Sequence, residues 1–201
     1  RRKELLRYLD YGGLPGLFSI RNRSEVAQKL QEWLKLTCER DVLQVKRLKP
    51  DPDLCSLIME TLAHLEEPSA SELSRRLRVS TKRIQTQLKA LSQIFAVHHL
   101  DPHRLGTGKP LYYLIDSGLG HLLQASFLSK LTMAILTECF AKASYQAVTP
   151  CRFSYFRNTK GSMIPLLIEL GPKRVIAIKW NDREKVDLRE LALLKSFSEN
   201  A

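Results

Sequence analysis

The segment Thr159–Trp180, TKGSMIPLLIELGPKRVIAIKW, reads as two apolar strands joined by a Gly-Pro turn, and its second strand, Val175-Ile176-Ala177-Ile178, closes on Lys179. An ammonium at the end of an apolar strand can meet a phosphate as a compact point charge. The plainer alternative is a lysine whose stem covers apolar surface while its head reaches water. Carboxylates that could join Lys179 are scarce. Glu138 is the only acid between Ser117 and Ile168, and it stands at helical spacing from Leu131 and Ile135, which predicts that it points inward. An i, i+4 pair with Lys142 is the competing role for it. Glu169 shares a strand face with Pro165 but lies four residues along, about 13 Å at strand rise. Asp182, Glu184 and Asp187 follow the strand in what reads as a solvated loop. One helix carboxylate and one lysine do not hold Mg²⁺, which needs several oxygen ligands in near-octahedral geometry.

A second set of residues suits a different chemistry. No acidic residue occurs from Leu73 to Leu100, a stretch that holds Arg75, Arg76, Arg78, Lys82, Arg83 and Lys89. On a helix, Lys82, Thr86, Lys89 and Gln93 fall opposite the apolar stripe Ile84, Leu88 and Leu91, with Gln85 on the flank. Such a face can reach phosphates and base edges in a major groove. The amides and hydroxyl at Ser80-Thr81 are placed to hold a phosphate at the helix start. Arg104 and Lys109, on a loop rich in Pro and Gly, are placed to take an adjacent one. The competing reading is a solvated helix face in a module that docks on protein.

Three segments must position these side chains. The first, 1–50, reads as helical: Ser24 caps a helix carrying Val26, Leu30, Trp33, Leu34 and Cys38, and Tyr11-Gly12-Gly13-Leu14-Pro15-Gly16 before it is a loop. The second, 51–115, holds three helices and a hairpin. Leu54, Leu57, Ile58, Leu62 and Leu65 mark the first helix. Ser69-x-x-Glu72 is a capping box opening the second, and Ser80 caps the third. Ile94–Leu100 and Leu111–Ile115 read as strands around the loop Asp101–Pro110. Three helices followed by a β-hairpin make a winged helix-turn-helix. The third segment, 116–201, has a helix near Leu128–Ser144, strands near Arg152–Arg157, Met163–Leu170 and Arg174–Trp180, and a helix from Asp187 to Phe197. The fold class expected is therefore α+β.

Composition narrows the partners. The formal net charge is +11 in 201 residues, which suits an anionic partner such as nucleic acid. Cys38, Cys55, Cys139 and Cys151 are widely spaced and, with five scattered histidines, give no zinc pattern. They read as reduced thiols of a cytoplasmic protein. No apolar run approaches membrane-spanning length and no signal peptide opens the chain, so no membrane partner is expected. Arg1-Arg2-Lys3 reads as the interior of a longer protein.

The Thr159–Trp180 hairpin resembles the catalytic hairpin of the PD-(D/E)XK nuclease fold. There, a helix supplies a glutamate, the first strand an acid, and the second strand an acid-x-Lys. The matching positions here are Glu138, Pro165, Ala177 and Lys179, so both strand carboxylates are missing. Over nearly its whole length the chain resembles the C-terminal region of prokaryotic AAA-type ATPases that carry a domain of unknown function. Tyr8-Leu9-Asp10-Tyr11-Gly12-Gly13-Leu14-Pro15 matches their "yl-x-GG-x-P" near the lid, and Glu39-Arg40-Asp41 matches a helix ending in "RD". Lys109–Leu119, KPLYYLIDSGL, matches "K-x-Y-x-x-D-x-GL", and Gly161–Leu166 with Ala177-Ile178-Lys179 matches "G-x-EVDF" and "EVK" with the acids lost.

The resemblance implies a helical lid-like segment, a winged helix and a degenerate, small α-β-β-β-α nuclease-like domain. It implies that Gly13 and Pro15 touch the adenine of a nucleotide, that ATP and Mg²⁺ belong to the full-length protein and not to this fragment, and that the partners are DNA and the chain's own upstream ATPase module, with self-association left open. The expected function is non-catalytic DNA binding, with Glu138 and Lys179 vestigial. A metal-dependent nuclease with displaced acids and a protein-docking winged helix are the rivals.

Overall fold

The computed structural model describes residues 2–17, 19–145, 151–171, 174–181 and 188–200. Asp182, Glu184 and Asp187 lie outside them. The described residues form eight α-helices and five strands, a mixed α+β architecture. Two compact units divide the chain: Arg1–His99 with Leu111–Glu138, and Leu100–Pro110 with Cys139–Ala201. The sequence segments 1–50, 51–115 and 116–201 are thus redistributed, with most of the first two and the start of the third in the first unit.

The first unit opens with helices α1 (Arg2–Tyr11) and α2 (Arg23–Leu36). Asn22, not Ser24, is the N-cap of α2, its Oδ1 accepting from the Ser24 amide at 2.9 Å. Val26 and Leu30 are buried as their spacing requires. A π turn (Thr37–Asp41) and two 3₁₀ turns (Val42–Gln44, Lys46–Leu48) follow, and in the π turn Arg40 pairs with Asp41. Helix α3 (Pro52–Ala63) has proline in its first turn, where the missing N–H costs nothing, and Asp51 as N-cap. Helices α4 (Ala70–Leu77) and α5 (Thr81–Gln93) are joined by Arg78, Val79 and Ser80. The core unites Cys55, Ile58, Met59 and Leu62 of α3 with Leu73 of α4 and Ile84, Leu88 and Leu91 of α5. Strand β1 (Val97–Pro102) starts in this unit, with β2 (Leu111–Leu114) beside it. Strand β2 also bridges the stretch before α4, through Ser69 opposite Leu111 and the Tyr112 amide donating to Pro68 O at 2.8 Å. Helix α6 (Ser117–Leu122) and the first part of α7 (Phe127–Tyr145) complete the unit.

The second unit is built on a sheet. The end of β1 pairs in parallel with β3 (Arg152–Arg157), Asp101 opposite Ser154 and Pro102 opposite Tyr155. Antiparallel β4 (Met163–Glu169) and β5 (Val175–Ile178) follow in order. Helix α8 (Leu188–Asn200) brings Leu193, Leu194 and Phe197 to the face formed by Phe156, Ile164, Leu167, Val175 and Ala177. Pro165 is expected at an edge or a bulge. The register slips between Ser154 and Phe156 against β4, so Pro165 sits at a bulge in an interior strand.

Candidate nucleic-acid interface

The turn from α4 to α5 is held from within. Arg78 takes a left-handed backbone (φ 54°) at the end of α4, the Ser74 hydroxyl donates to Val79 O at 2.7 Å, and Thr81 Oγ1 donates to Ser74 Oγ at 3.1 Å. The Thr81 hydroxyl proton is therefore committed to the protein. Ser80 occupies the N-cap position of α5, but its side chain makes no capping bond, contrary to the expectation. Only half of the expected capping box forms on α4. Ser69 Oγ accepts from the Glu72 amide at 3.3 Å, while the Ser69 amide donates to Glu67 O and not to the Glu72 carboxylate.

The freed Glu72 carboxylate turns to the arginines. It accepts from Arg75 Nη2 at 2.5 Å and from Arg76 Nε at 3.2 Å. The Arg75 hydrogen bond is the main reason the carboxyl is held down to about 2. Asp51 Oδ2 likewise accepts from Arg83 Nη2 at 2.5 Å. The long stretch without acid is thus a feature of the sequence window only. Glu72, one residue upstream of it, and Asp51, far outside it, form ion pairs with Arg75, Arg76 and Arg83 in the fold. Asp51 also ties down α5 from below: its amide donates to the buried Gln87 Oε1 at 2.9 Å, a contact that no local periodicity announces.

Arg78, Lys82 and Lys89 are exposed and make no ion pair among the described residues. Gln85 and Gln93 are exposed on the same side of α5, and Thr86 is half-buried with its hydroxyl donating to Lys82 O at 3.0 Å. The outward face of α5 therefore carries cations and amides over several turns.

The loop that carries Arg104 and Lys109 belongs to the second unit. It is stitched to β3 and does not project freely. His103 N donates to Tyr155 O at 2.7 Å, Thr107 N to Arg157 O at 2.9 Å, and the Tyr155 hydroxyl to Lys109 O at 2.8 Å. Buried His103 lies 4.0 Å from Glu169 Oε1, which accepts from the buried Ser154 hydroxyl at 3.0 Å. Desolvation pushes the His103 imidazole below its ordinary range, against the raising effect of Glu169. The serine bonds to the glutamate and not to the histidine, so the three do not form a base-activated nucleophile.

Of the positions that match the hairpin motif, Pro165 and Ala177 carry no carboxylate. Glu138 is exposed, not inward, and accepts from the Tyr8 hydroxyl at 2.9 Å, because α7 buries Met133, Ala134 and Leu136 in place of the stripe through Leu131 and Ile135. Lys179 follows the last residue of β5, and Ala177 faces α8. Glu138 belongs to the first unit and Lys179 to the second. Among the described residues no group of three or more His, Cys, Asp or Glu side chains is arranged to hold a metal ion. The cysteines are unbridged, and burial pushes the Cys38 and Cys55 thiols up to about 11 and about 12.

The Gly12-Gly13 and Asp116-Ser117-Gly118 motifs meet. Asp116 is buried, accepts from the Gly13 amide at 2.7 Å and from Gly118 at 2.8 Å, and so caps α6 while clasping the loop after α1. Ser117 Oγ donates to Tyr8 O at 3.1 Å. Gly12 has φ +75°, and a Cβ there would come within 1.9 Å of Asp116 Oδ1. The Gly13 amide is spent on this clasp, while Pro15 is exposed.

The family model described as Domain of unknown function (DUF8612) matches residues 2–130, and the chain belongs to that family. The matched region includes both halves of the Gly12/Asp116 clasp and the whole of α3 to α5. No curated protein and no solved structure matches the chain.

Proposed function

We propose that this chain is a non-catalytic, DNA-binding and regulatory region of an AAA-type ATPase, and that α3 to β2 act as a winged helix with α5 as the recognition helix. The observation that carries the reading is the outward face of α5, where Lys82, Gln85, Lys89 and Gln93 are exposed and the lysines have no acidic partner among the described residues. The bridge from β2 to Ser69, just before α4, supports the winged-helix reading, since it adds a short strand ahead of the helix pair. Arg75, Arg76 and Arg83 act in this reading as ion-paired supports of α4 and α5, and Arg78, Lys82 and Lys89 as the phosphate contacts.

Duplex binding is then driven by counterion release and is weakly sequence-selective. Anisotropy titrations of a labelled duplex over a range of salt test this. Changing Lys82 and Lys89 together to Ala is expected to lower the slope of log K against log salt by about two. An unchanged slope would move the contact off α5, and no binding at low salt would favour a protein-docking module. The linkage to an ATPase rests on the motif resemblance, and Gly13 is read here as a structural residue of the clasp and not as an adenine contact.

A further inference from the structure

In the second unit a cavity of about 280 Å³ is lined by Leu105, Phe156, Asn158, Leu193, Ser196 and Phe197. That is room for one flat ring system, below the usual range for a drug-sized ligand. Its aromatic walls are Phe156 and Phe197, with ring centroids 4.9 Å apart at 53°. Its polar group is unusually well defined. Asn158 Oδ1 accepts from the Lys160 amide at 3.0 Å and from the Ser162 amide at 2.9 Å. Two backbone donors identify the oxygen, so the other terminus is the NH₂ group, and among the described residues its protons have no acceptor.

Cations neighbour the lining residues of this cavity along the chain. Arg104 directly precedes the lining residue Leu105, and Lys160 stands two residues after the lining residue Asn158, in the turn that Asn158 closes. Arg104, Lys109 and Lys160 are exposed. From Cys139 to Lys179 the sequence has seven cations and a single acid, Glu169. That acid pairs across the ladder with Arg152, at the opposite end of β3 from Arg157 and Lys160. The cavity end of the sheet therefore offers positive charge, an aromatic wall and a preset hydrogen-bond donor together.

We infer that this cavity takes an unpaired nucleobase of a single-stranded nucleic acid, stacked on Phe156 and met by Asn158 Nδ2, with the flanking phosphates on Arg104 and Lys160. Aromatic stacking combined with a basic track is how single strands are held without sequence readout. The cavity belongs to the second unit and α5 to the first, and the inference does not rest on the duplex reading.

The test compares a labelled single-stranded oligothymidylate with the same oligomer carrying consecutive abasic positions, using the whole chain at low salt. Asn158→Asp keeps the oxygen that the turn needs and removes the donor. Leu105→Trp fills the cavity from a side chain that is 47 % exposed, so the fold tolerates it. With melting curves like that of the parent, Leu105→Trp is expected to weaken the thymidylate oligomer about tenfold or more and to leave the abasic one nearly unchanged, and Asn158→Asp, whose added carboxylate also repels phosphate, to weaken the thymidylate oligomer more than the abasic one. Arg104→Ala with Lys160→Ala is expected to lower the salt slope by about 1.4. Competition by free thymidine monophosphate as tight as by the oligomer would make the ligand a free nucleotide and overturn the strand reading. Equal binding of the abasic oligomer would reduce the site to a polyanion surface and overturn the proposal, as would full affinity in both cavity variants. Lys82→Ala with Lys89→Ala is expected to leave the difference in affinity between the thymidylate and abasic oligomers intact, so failure here and failure of the α5 reading are told apart.

Discussion

His98 is the side chain whose protonation most directly touches stability. Its Nε2 lies 2.9 Å from Thr137 Oγ1, whose own proton goes to Ile115 O, so the imidazole is the donor and carries its proton on Nε2. Burial lowers its pKa to about 4. The unfolded chain binds a proton near 6.5 and the folded one only near 4, so stability is full above about pH 6.5 and drains away as the pH falls toward 4. The loss from this one residue is at most about 3 kcal/mol. Urea titrations at pH 7, 5.5 and 4.5 check it: His98→Gln, which keeps an amide donor, is expected to flatten the fall. An equally steep fall in the variant would assign the acid sensitivity to other groups.

At the level of elements, α5 ends in an arrangement that asks for glycine and holds phenylalanine. Ala96 N donates to Leu91 O at 2.9 Å and Phe95 N to Ser92 O at 3.2 Å, the paired bonds of a Schellman cap. Phe95 occupies its left-handed position with φ 57° and is 80 % exposed. Phe95→Gly is expected to stabilise the protein by about 1 kcal/mol, seen as a higher melting temperature. A lower one would mean that the ring packs usefully despite its exposure. This cap also marks where sequence reading stops. The Ile84, Leu88 and Leu91 stripe located α5 because its spacing is local, and the apolar run in Met163–Glu169, ended by a Gly-Pro turn, located β4 for the same reason. Asp51 finding Arg83, Asp116 finding Gly13, and Thr107 finding Arg157 each join residues 32 to 103 positions apart, and no periodicity encodes such meetings. For that reason three of the arginines expected at the nucleic-acid surface prove to be ion-paired, and the loop expected as a free wing is bonded to β3. Glu138 was legible as a helical residue but not as an exposed one, since α7 is apolar on more than one side.

For the molecule as a whole, the expectation is binding without cleavage. Phosphodiester hydrolysis at neutral pH calls for a metal held by carboxylates to activate water. Position 165 is a proline and position 177 an alanine, and Glu138 serves as acceptor for Tyr8. Plasmid and single-stranded DNA incubated with the protein and Mg²⁺ or Mn²⁺ are expected to remain intact, and Glu138→Ala to alter stability slightly and chemistry not at all. Cleavage that vanishes in both Glu138→Ala and Lys179→Ala would sink this view and mean that Glu169, or an acid after Trp180, has taken the metal.

The two compact units are each assembled from two separate stretches of chain, and the polypeptide passes from one to the other at 99/100, 110/111 and 138/139. This interleaving constrains birth at the ribosome. The first unit cannot close when residue 99 has emerged, because β2, α6 and the start of α7 are still to come. The loop 100–110 must then wait, its amides unpaired, until β3 is synthesised some fifty residues later. Folding during synthesis therefore proceeds by two late closures and not by one domain finishing before the next begins.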